Sequence, residues 1–395
     1  MDRIVVTGMG VISAIGNSVA ENRISLAQGR SGISNLEMFP SKYSETRPVG
    51  EIKISTQALK EKLNAYEPGI TRTTLLALHA IEEAIAGSGL TNEELSSFNT
   101  ALIGASTVGG MCMTDDMYND AQKDSIASEF LSSYDYGTIN MYLQKRYNMK
   151  GPVNTINTAC SSSANAIMYG ARLIRSGRVK RAIVGGVDSL AKFTINGFNS
   201  LHILSNEICT PFDEDRKGLN LGEGAAFLVL EKESDATGKK IYASLSGYAN
   251  GNDSYHASSL SDEGIGPYKV MSDALVSAKL DPSQIDFINA HGTATENNDK
   301  VESVAMLRLF GKAPAFASTK ANIGHTLGAA GAIEALYCIL NLSEQELYPG
   351  LNFKKPIPET GLQPIQAYTK TSLNHIMSNS FGFGGNCSSL IFSKA

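Results

Sequence analysis

The sequence is poor in several features on which particular classes of protein depend. Its 395 residues contain no tryptophan, only 18% of them are charged, and the formal net charge is −5. Nucleic-acid binding needs clustered Lys and Arg to neutralise phosphates, and because no such cluster occurs we expect no nucleic-acid partner. Hydrophobic residues make up 42% of the chain, which favours a globular protein over a disordered one.

Cysteine is also scarce and shows no pairing pattern. The chain has five cysteines without a CxxC spacing, at positions 112, 160, 209, 338 and 387. An odd, scattered set predicts neither a disulfide framework nor a zinc site, so we expect no metal and a reducing, cytoplasmic location. The N-terminus resembles a strand rather than a secretory leader. Glycines and Glu334 interrupt the longest apolar run, 327–342, which predicts no membrane span.

Short β-branched runs alternate with amphipathic helical patterns along the whole chain, which predicts an α/β fold. We expect strands at residues 2–8, 100–104, 153–156, 182–187, 225–230, 241–245, 285–290, 315–318 and 389–392, and one of the helices at 74–86. The polar segment 231–240 indicates a boundary between two domains, 1–236 and 237–395. The similar alternation of predicted strands and helices in the two domains suggests a duplicated unit, although the halves share no recognisable sequence identity.

Two glycines near the N-terminus, Gly8 and Gly10, raise the alternative of a dinucleotide site. The third glycine of that fingerprint would fall at Ser13, and no acidic residue ends a second strand at the required distance. We therefore predict a tight strand-to-helix turn here.

The segment 158–163, Thr-Ala-Cys-Ser-Ser-Ser, places Cys160 between a predicted strand and a helix with apolar residues at 164, 167, 168, 171 and 174. A cysteine at a helix N-terminus is favoured as a thiolate, and the small neighbours leave room for a substrate. The alternative is a buried, inert cysteine, which is equally common on this pattern alone.

Three further residues share this context. His291 follows the predicted strand 285–290, whereas Lys320 and His325 follow the strand 315–318. Each histidine alone is compatible with a structural role, but two at strand ends together with Cys160 favour a single site. The glycine-rich segment 379–386 either forms a hairpin or presents backbone N–H groups to a bound oxygen, as half of an oxyanion hole.

Several of these motifs together resemble the β-ketoacyl-[acyl carrier protein] synthases of fatty-acid and polyketide synthesis, in the branch with a Cys-His-His triad. The matching segments are 6–10, 157–162, 291–293, 318–320, 324–325 and 381–385. The resemblance implies a thiolase-like αβαβα sandwich of two βαβαβαββ halves, usually a homodimer. It also implies an acyltransferase that uses acyl carrier protein as its partner and needs no cofactor besides the phosphopantetheine on that carrier.

The resemblance further implies a decarboxylative Claisen condensation. Cys160 would hold the acyl chain, and malonyl carrier protein would lose CO2 and attack that thioester. The backbone of Cys160 and Phe383 would stabilise the oxyanion, and His291 and His325 would stabilise the enolate. The remaining implied roles are Lys320 ordering the cluster with Glu302 as its carboxylate partner, Thr293 and Thr295 binding the phosphopantetheine arm, and Val108, Met111, Phe198 and Phe383 lining the acyl tunnel. Lys and Arg residues at the tunnel mouth, with Arg72 as one candidate, would dock the carrier protein.

The chain departs from the common pattern of this family at two places. Glu296 replaces a proline, and Asn386-Cys387 replaces Thr-Asn. General fatty-acid elongation and a specialised polyene or polyketide pathway, in which the synthase pairs with a chain-length-factor-like subunit, therefore both stay open. A non-catalytic subunit ordinarily lacks the cysteine, a cysteine hydrolase leaves Lys320 and one histidine unexplained, and a coenzyme A-dependent thiolase uses a second cysteine as base.

Overall fold

The computed structural model describes residues 2–123 and 127–395, and within these ranges it contains fourteen strands and twelve α-helices. The strands are β1 (Ile4–Ser13), β2 (Ile33–Ser34), β3 (Val49–Gly50), β4 (Thr100–Ala105), β5 (Val153–Ile156), β6 (Arg181–Asp188), β7 (Gly224–Lys232), β8 (Ala243–Asn252), β9 (Phe287–Asn289), β10 (Ala315–Ala317), β11 (Glu346–Leu347), β12 (Thr369–Lys370), β13 (His375–Phe381) and β14 (Asn386–Ser393). The helices are α1 (Val19–Ala27), α2 (Thr56–Leu63), α3 (Arg72–Ser88), α4 (Asn92–Leu95), α5 (Thr114–Lys123), α6 (Gly137–Arg146), α7 (Ser162–Arg175), α8 (Lys192–Ser200), α9 (Ile265–Ala278), α10 (Glu296–Phe310), α11 (Lys320–Ile323) and α12 (Ala330–Glu344).

The sheet topology reveals a duplicated unit. The first half has the strand order β1-β7-β6-β4-β5, and the second has β8-β14-β13-β9-β10. In each half the first two pairings are antiparallel and the last two parallel. The duplication inferred from the rhythm of the sequence is therefore confirmed. The division into residues 1–236 and 237–395 stays a prediction, because β1 and β8 also pair and join the halves into one sheet.

The helices complete a five-layer αβαβα arrangement, as the family resemblance implied. Helices α7 and α12 pack against each other and against strands of both halves, so they form the central layer. Helix α3 covers β1 and β7 on one outside face, and α9 covers β8 and β14 on the other. The largest apolar core includes residues of both halves, such as Val184 and Ile376, on either side of the central layer.

The prediction of a strand-to-helix turn at Gly8 and Gly10 is wrong. Both glycines lie inside β1, where they face helix α3. A Cβ atom on Gly8 would lie 2.3 Å from the carbonyl oxygen of Ala84, and one on Gly10 would lie 2.1 Å from that of Ala80. The two glycines therefore allow close packing of strand and helix.

Strand β8 begins at Ala243 and extends to Asn252, beyond the predicted 241–245, because it pairs along its length with β14. In the described ranges no helix is both long enough and apolar enough to cross a membrane.

Candidate active site

The predicted site residues follow four strands whose ends converge on one cavity. Cys160 follows β5, His291 follows β9, His325 follows β10, and Phe383 follows β13. The Nε2 atom of His325 lies 3.0 Å from the Sγ atom of Cys160. The Sγ atom of Cys160 and one ring nitrogen each of His291 and His325 all lie within 4.8 Å of one another. The structure thus brings Cys160 into contact with His325, although the two residues are 165 positions apart in the sequence.

Cys160 sits on a strained turn directly before helix α7. Ala159 has a φ of 54°, in the left-handed region that L-residues other than Asn and Asp rarely adopt. The backbone N–H groups of Phe383 and of Cys160 itself lie near the Cys160 sulfur and favour negative charge on it. Two backbone donors that converge on one position form the arrangement that stabilises an oxyanion.

The surroundings of Cys160 favour the neutral thiol, in contrast to the expected thiolate. Burial raises its pKa to about 11, although the Lys320 charge and the two N–H groups act in the opposite direction. The stabilisation of a thiolate by the helix N-terminus is therefore smaller than its destabilisation by the loss of solvent around the sulfur. A proton acceptor is in contact with the thiol, since His325 lies beside it.

Both histidines are held as neutral imidazoles. Burial, and next to it the charge of Lys320, lowers the pKa of His291 and of His325 well below 6.5. The rings meet edge to face, with their centroids 5.4 Å apart. The backbone of His325 is fixed on both sides, because its N–H donates to the carbonyl of Asn220 and its carbonyl accepts from Gly222.

Lys320 has a different partner from the one that the resemblance implied. Its Nζ atom lies 2.5 Å from Oε1 of Glu334 and donates to the carbonyl oxygen of His291 at 2.5 Å. The assignment of Glu302 as partner of Lys320 is therefore wrong. Glu334 lies on α12, where a single acidic residue inside the apolar run 330–342 was the available sequence signal.

Glu302 instead holds the loop that carries His291. Its two carboxylate oxygens accept from the backbone N–H groups of His291 and Gly292, each at 2.9 Å, and Oε1 also accepts from Asn379 at 3.2 Å. Burial raises the pKa of Glu302 to about 7. Asp299, which the sequence analysis did not select, fixes the next turn by accepting from the N–H of Ala294.

A cavity of about 620 Å³ opens onto Cys160, His291 and His325. Thr293 and Thr295 line it with their hydroxyls 2.8 Å apart. Phe198 and Phe383, which were predicted as tunnel residues, also line it and stack with centroids 5.9 Å apart. Val108 and Met111 lie outside this lining, in an apolar cluster that also contains Phe198.

Arg72 is not available for docking a carrier protein. It is buried, with 8% of its surface exposed, and its guanidinium lies 2.6 Å from Glu223. The cavity lining instead includes Arg216, Lys217 and Lys300. Arg216 donates to the carbonyl oxygens of Thr295 and Glu296, so it also supports the threonine turn.

Comparisons with known proteins identify the family. Residues 1–236 match the family described as beta-ketoacyl synthase, N-terminal domain, and residues 242–354 match beta-ketoacyl synthase, C-terminal domain. The chain belongs to the β-ketoacyl synthase family. It is therefore an acyltransferase-class condensing enzyme, and it is 34% identical to a putative mitochondrial 3-oxoacyl-[acyl-carrier-protein] synthase of Schizosaccharomyces pombe, over all of this chain and 99% of that protein.

Solved ketosynthases share the complete fold. The ishigamide ketosynthase/chain length factor superposes with a TM-score of 0.94 at 28% identity, over 100% of this chain and 99% of the other. A type II polyketide ketosynthase, solved in complex with its acyl carrier protein and bound to the hexaketide, gives a TM-score of 0.89 at 27% identity, with both chains fully covered. The predicted thiolase-like fold is confirmed by this similarity.

Proposed function

We propose that this β-ketoacyl synthase transfers an acyl group from acyl carrier protein to Cys160 and condenses it with malonyl carrier protein. The observation that carries the proposal is the contact between the Cys160 thiol and the neutral His325, with His291 and two backbone N–H donors in the same cavity. These groups supply a nucleophile, a proton acceptor and donors for two developing oxyanions.

In the acyl-transfer step, His325 accepts the proton of the thiol while the sulfur attacks the thioester carbonyl. The oxygen of the tetrahedral intermediate receives hydrogen bonds from the N–H groups of Cys160 and Phe383. The bond to the phosphopantetheine sulfur then breaks, and that sulfur leaves with the proton. The raised pKa of Cys160 makes the adjacent base necessary, because little thiolate forms in its absence.

In the condensation step, the malonyl thioester loses CO2 and its electron pair moves into an enolate. The N–H group of the neutral His291 stabilises the enolate oxygen, and neutral His325 does so in the tautomer that carries its proton on Nε2, the atom that accepts the thiol proton in the first step. The enolate carbon then forms a bond to the acyl carbonyl carbon, the bond from that carbon to the Cys160 sulfur breaks, and the sulfur leaves as a thiolate that takes up one proton from water to restore the thiol. Burial, and next to it the charge of Lys320, lowers the pKa of His291 and keeps the ring neutral, so that it donates without itself becoming an acid.

The phosphopantetheine arm and the acyl chain would contact different residues around Cys160. Thr293 and Thr295 face the cavity and would bind the phosphopantetheine arm. Phe198 and Phe383 would contact the first carbons of the acyl chain, and the cluster with Val108 and Met111 would receive its end. We expect no separate cofactor, because the loss of CO2 itself generates the carbanion.

A second copy or a related subunit would bind at the edge strand β5. This strand ends the sheet and pairs only with β4 among the described residues, which leaves its other edge free for another chain. A homodimer is the expected assembly, and the similarity to a ketosynthase/chain length factor supports a heterodimer with a related subunit as the alternative. The five free cysteines support a reducing compartment such as the cytoplasm.

Replacement of the nucleophile tests the proposed reaction. Wild-type protein incubated with acyl and malonyl carrier proteins should release CO2 and form a β-ketoacyl product, and Cys160→Ala should abolish that product. Cys338→Ala is a matched control, because that thiol is buried in the largest apolar core on α12 and does not line the cavity. Condensation by Cys160→Ala at the wild-type rate would refute the proposal.

The two pairing modes are separable by mass. The purified protein should form a dimer of 84 kDa if it pairs with itself, twice the 42.1 kDa of one chain. If it instead needs a related subunit, it should be monomeric alone and dimeric after coexpression with that subunit. Light scattering during gel filtration distinguishes these outcomes.

A further inference from the structure

Asn386 connects the two segments that supply the backbone donors around Cys160. It is the first residue of β14, and its carbonyl oxygen accepts from the N–H of Gly382 at 2.8 Å, which closes the glycine loop. Its side-chain Oδ1 accepts from the hydroxyl of Ser161 at 2.7 Å and from Nδ2 of Asn165 at 2.9 Å. One residue therefore binds both the loop and the start of helix α7.

The contacts of Asn386 lie immediately beside the two oxyanion donors. Ser161 directly follows Cys160, and Gly382 directly precedes Phe383. A movement of Asn386 would therefore change the distance between the N–H groups of Cys160 and Phe383.

The turn at Cys160 depends on such support because its backbone is strained. Ala159 has a positive φ, and conformations of this kind persist only where the surroundings hold them. Asn165 contributes by donating to the hydroxyl of Thr158 at 2.8 Å, in addition to its bond to Asn386. The Asn386 side chain thus belongs to the network that fixes this turn.

We propose that Asn386 is a positioning residue that sets the spacing of the two oxyanion donors. This inference rests on the proposed function, since it concerns the acyl-transfer step at Cys160. It also assigns a role to one of the two residues at which the chain departs from the common family pattern of Thr-Asn.

The test separates oxyanion stabilisation from the reactivity of the thiol. We would measure single-turnover transfer from hexanoyl-loaded acyl carrier protein to Cys160 by intact-protein mass, and alkylation of Cys160 by iodoacetamide, which forms no oxyanion. Asn386→Ala should slow acyl transfer about tenfold, less than the 10²–10³-fold loss for deletion of a donor. Alkylation should stay within about twofold of the wild-type rate.

Two further variants complete the design. Ser161→Ala removes the hydroxyl that donates to Asn386 at 2.7 Å and also to the carbonyl oxygen of Thr158 at 2.8 Å, so it weakens the same network if Asn386→Ala fails to fold. The double variant should lose less than the product of the two single losses, because the bond between Ser161 and Asn386 is broken in both single variants. Asn374→Ala is the matched control, since Asn374 is exposed, lies directly before β13 at the opposite end of that strand from Phe381, and does not line the cavity.

Wild-type acyl-transfer rates in Asn386→Ala and Ser161→Ala would overturn this inference and leave the proposed function unaffected. Parallel losses of acyl transfer and alkylation would also overturn it, because they would indicate a general structural defect. A wild-type protein that never accepts the hexanoyl group would instead overturn the proposed function and, with it, this inference.

Discussion

Lys320 and Glu334 form a buried ion pair in which each charge is compensated by the other. Their side chains are only 2% and 3% exposed. Lys320→Met would leave Glu334 buried without a counter-charge, so we expect it to lower the free energy of unfolding by about 3–5 kcal/mol. The double variant Lys320→Met/Glu334→Leu should lose less than Lys320→Met alone, as measured by urea unfolding. Equal or greater loss in the double variant would contradict this reading.

The neutral histidines predict an unusual pH dependence. Because the pKa of His291 and of His325 lies well below 6.5, both rings stay neutral as the pH falls through 6.5. The rate of malonyl decarboxylation should therefore not decrease between about pH 8 and pH 6.5, whereas ordinary histidines would become half protonated at the lower limit. A decrease with a midpoint near 6.5 would show that the rings titrate normally.

The lowered pKa values of His291 and His325 also make the stability of the fold depend on pH, although they keep the decarboxylation rate constant. Below pH 6.5 the unfolded chain takes up protons on these histidines, and the folded protein does not, so the free energy of unfolding should fall as the pH decreases. His325→Asn should reduce this slope in urea unfolding between about pH 7 and pH 5.5. His202→Asn is the control, because His202 is exposed. Equal slopes in all three proteins would exclude the effect.

The sequence was sufficient to select Cys160, His291, Lys320 and His325, since each stands in a distinctive local context after a strand. It was not sufficient to pair Lys320 with Glu334, because that contact depends on how α12 packs. The prediction that Arg72 docks the carrier protein was wrong for a similar reason. Its partner Glu223 lies 151 positions away, and arginine is usually an exposed residue.

At the scale of elements, the contact between β1 and α3 depends on missing side chains. Gly10→Ala would place a methyl group 2.1 Å from the carbonyl of Ala80, so we expect overpacking to cost about 1–3 kcal/mol or more. Gly87→Ala is the matched control on α3 itself, where the nearest atom would be 3.9 Å away. It should stabilise the protein by up to about 1 kcal/mol through helix propensity. Thermal unfolding of both variants tests whether the two effects have opposite signs.

Strand bounds were predicted best where the neighbouring residues clearly favour a turn. The strand 153–156 matches β5 exactly, because a polar turn follows it. Strand β8 was predicted too short, since its second part, with Gly247 and Gly251, has little local strand propensity and is stabilised by pairing with β14. The glycines of β1 were misinterpreted because their role is a contact with a helix about 70 residues later.

At the scale of the whole molecule, the two halves share a topology without recognisable sequence identity. The alternation of strands and helices was enough to suggest the duplication. It could not show how the halves join, because the three-residue pairing of β1 with β8 and the central layer of α7 and α12 are long-range contacts.

The shared central layer predicts that the halves unfold together. Residues of both halves contribute to one apolar core around α7 and α12, so unfolding of either half would expose apolar surface of the other. Calorimetry should therefore show a single transition. Gly10→Ala, although it lies in the first half, should increase hydrogen exchange equally in β9 and β13 of the second half when exchange occurs by global opening. Faster exchange confined to the first half would show that the halves unfold independently.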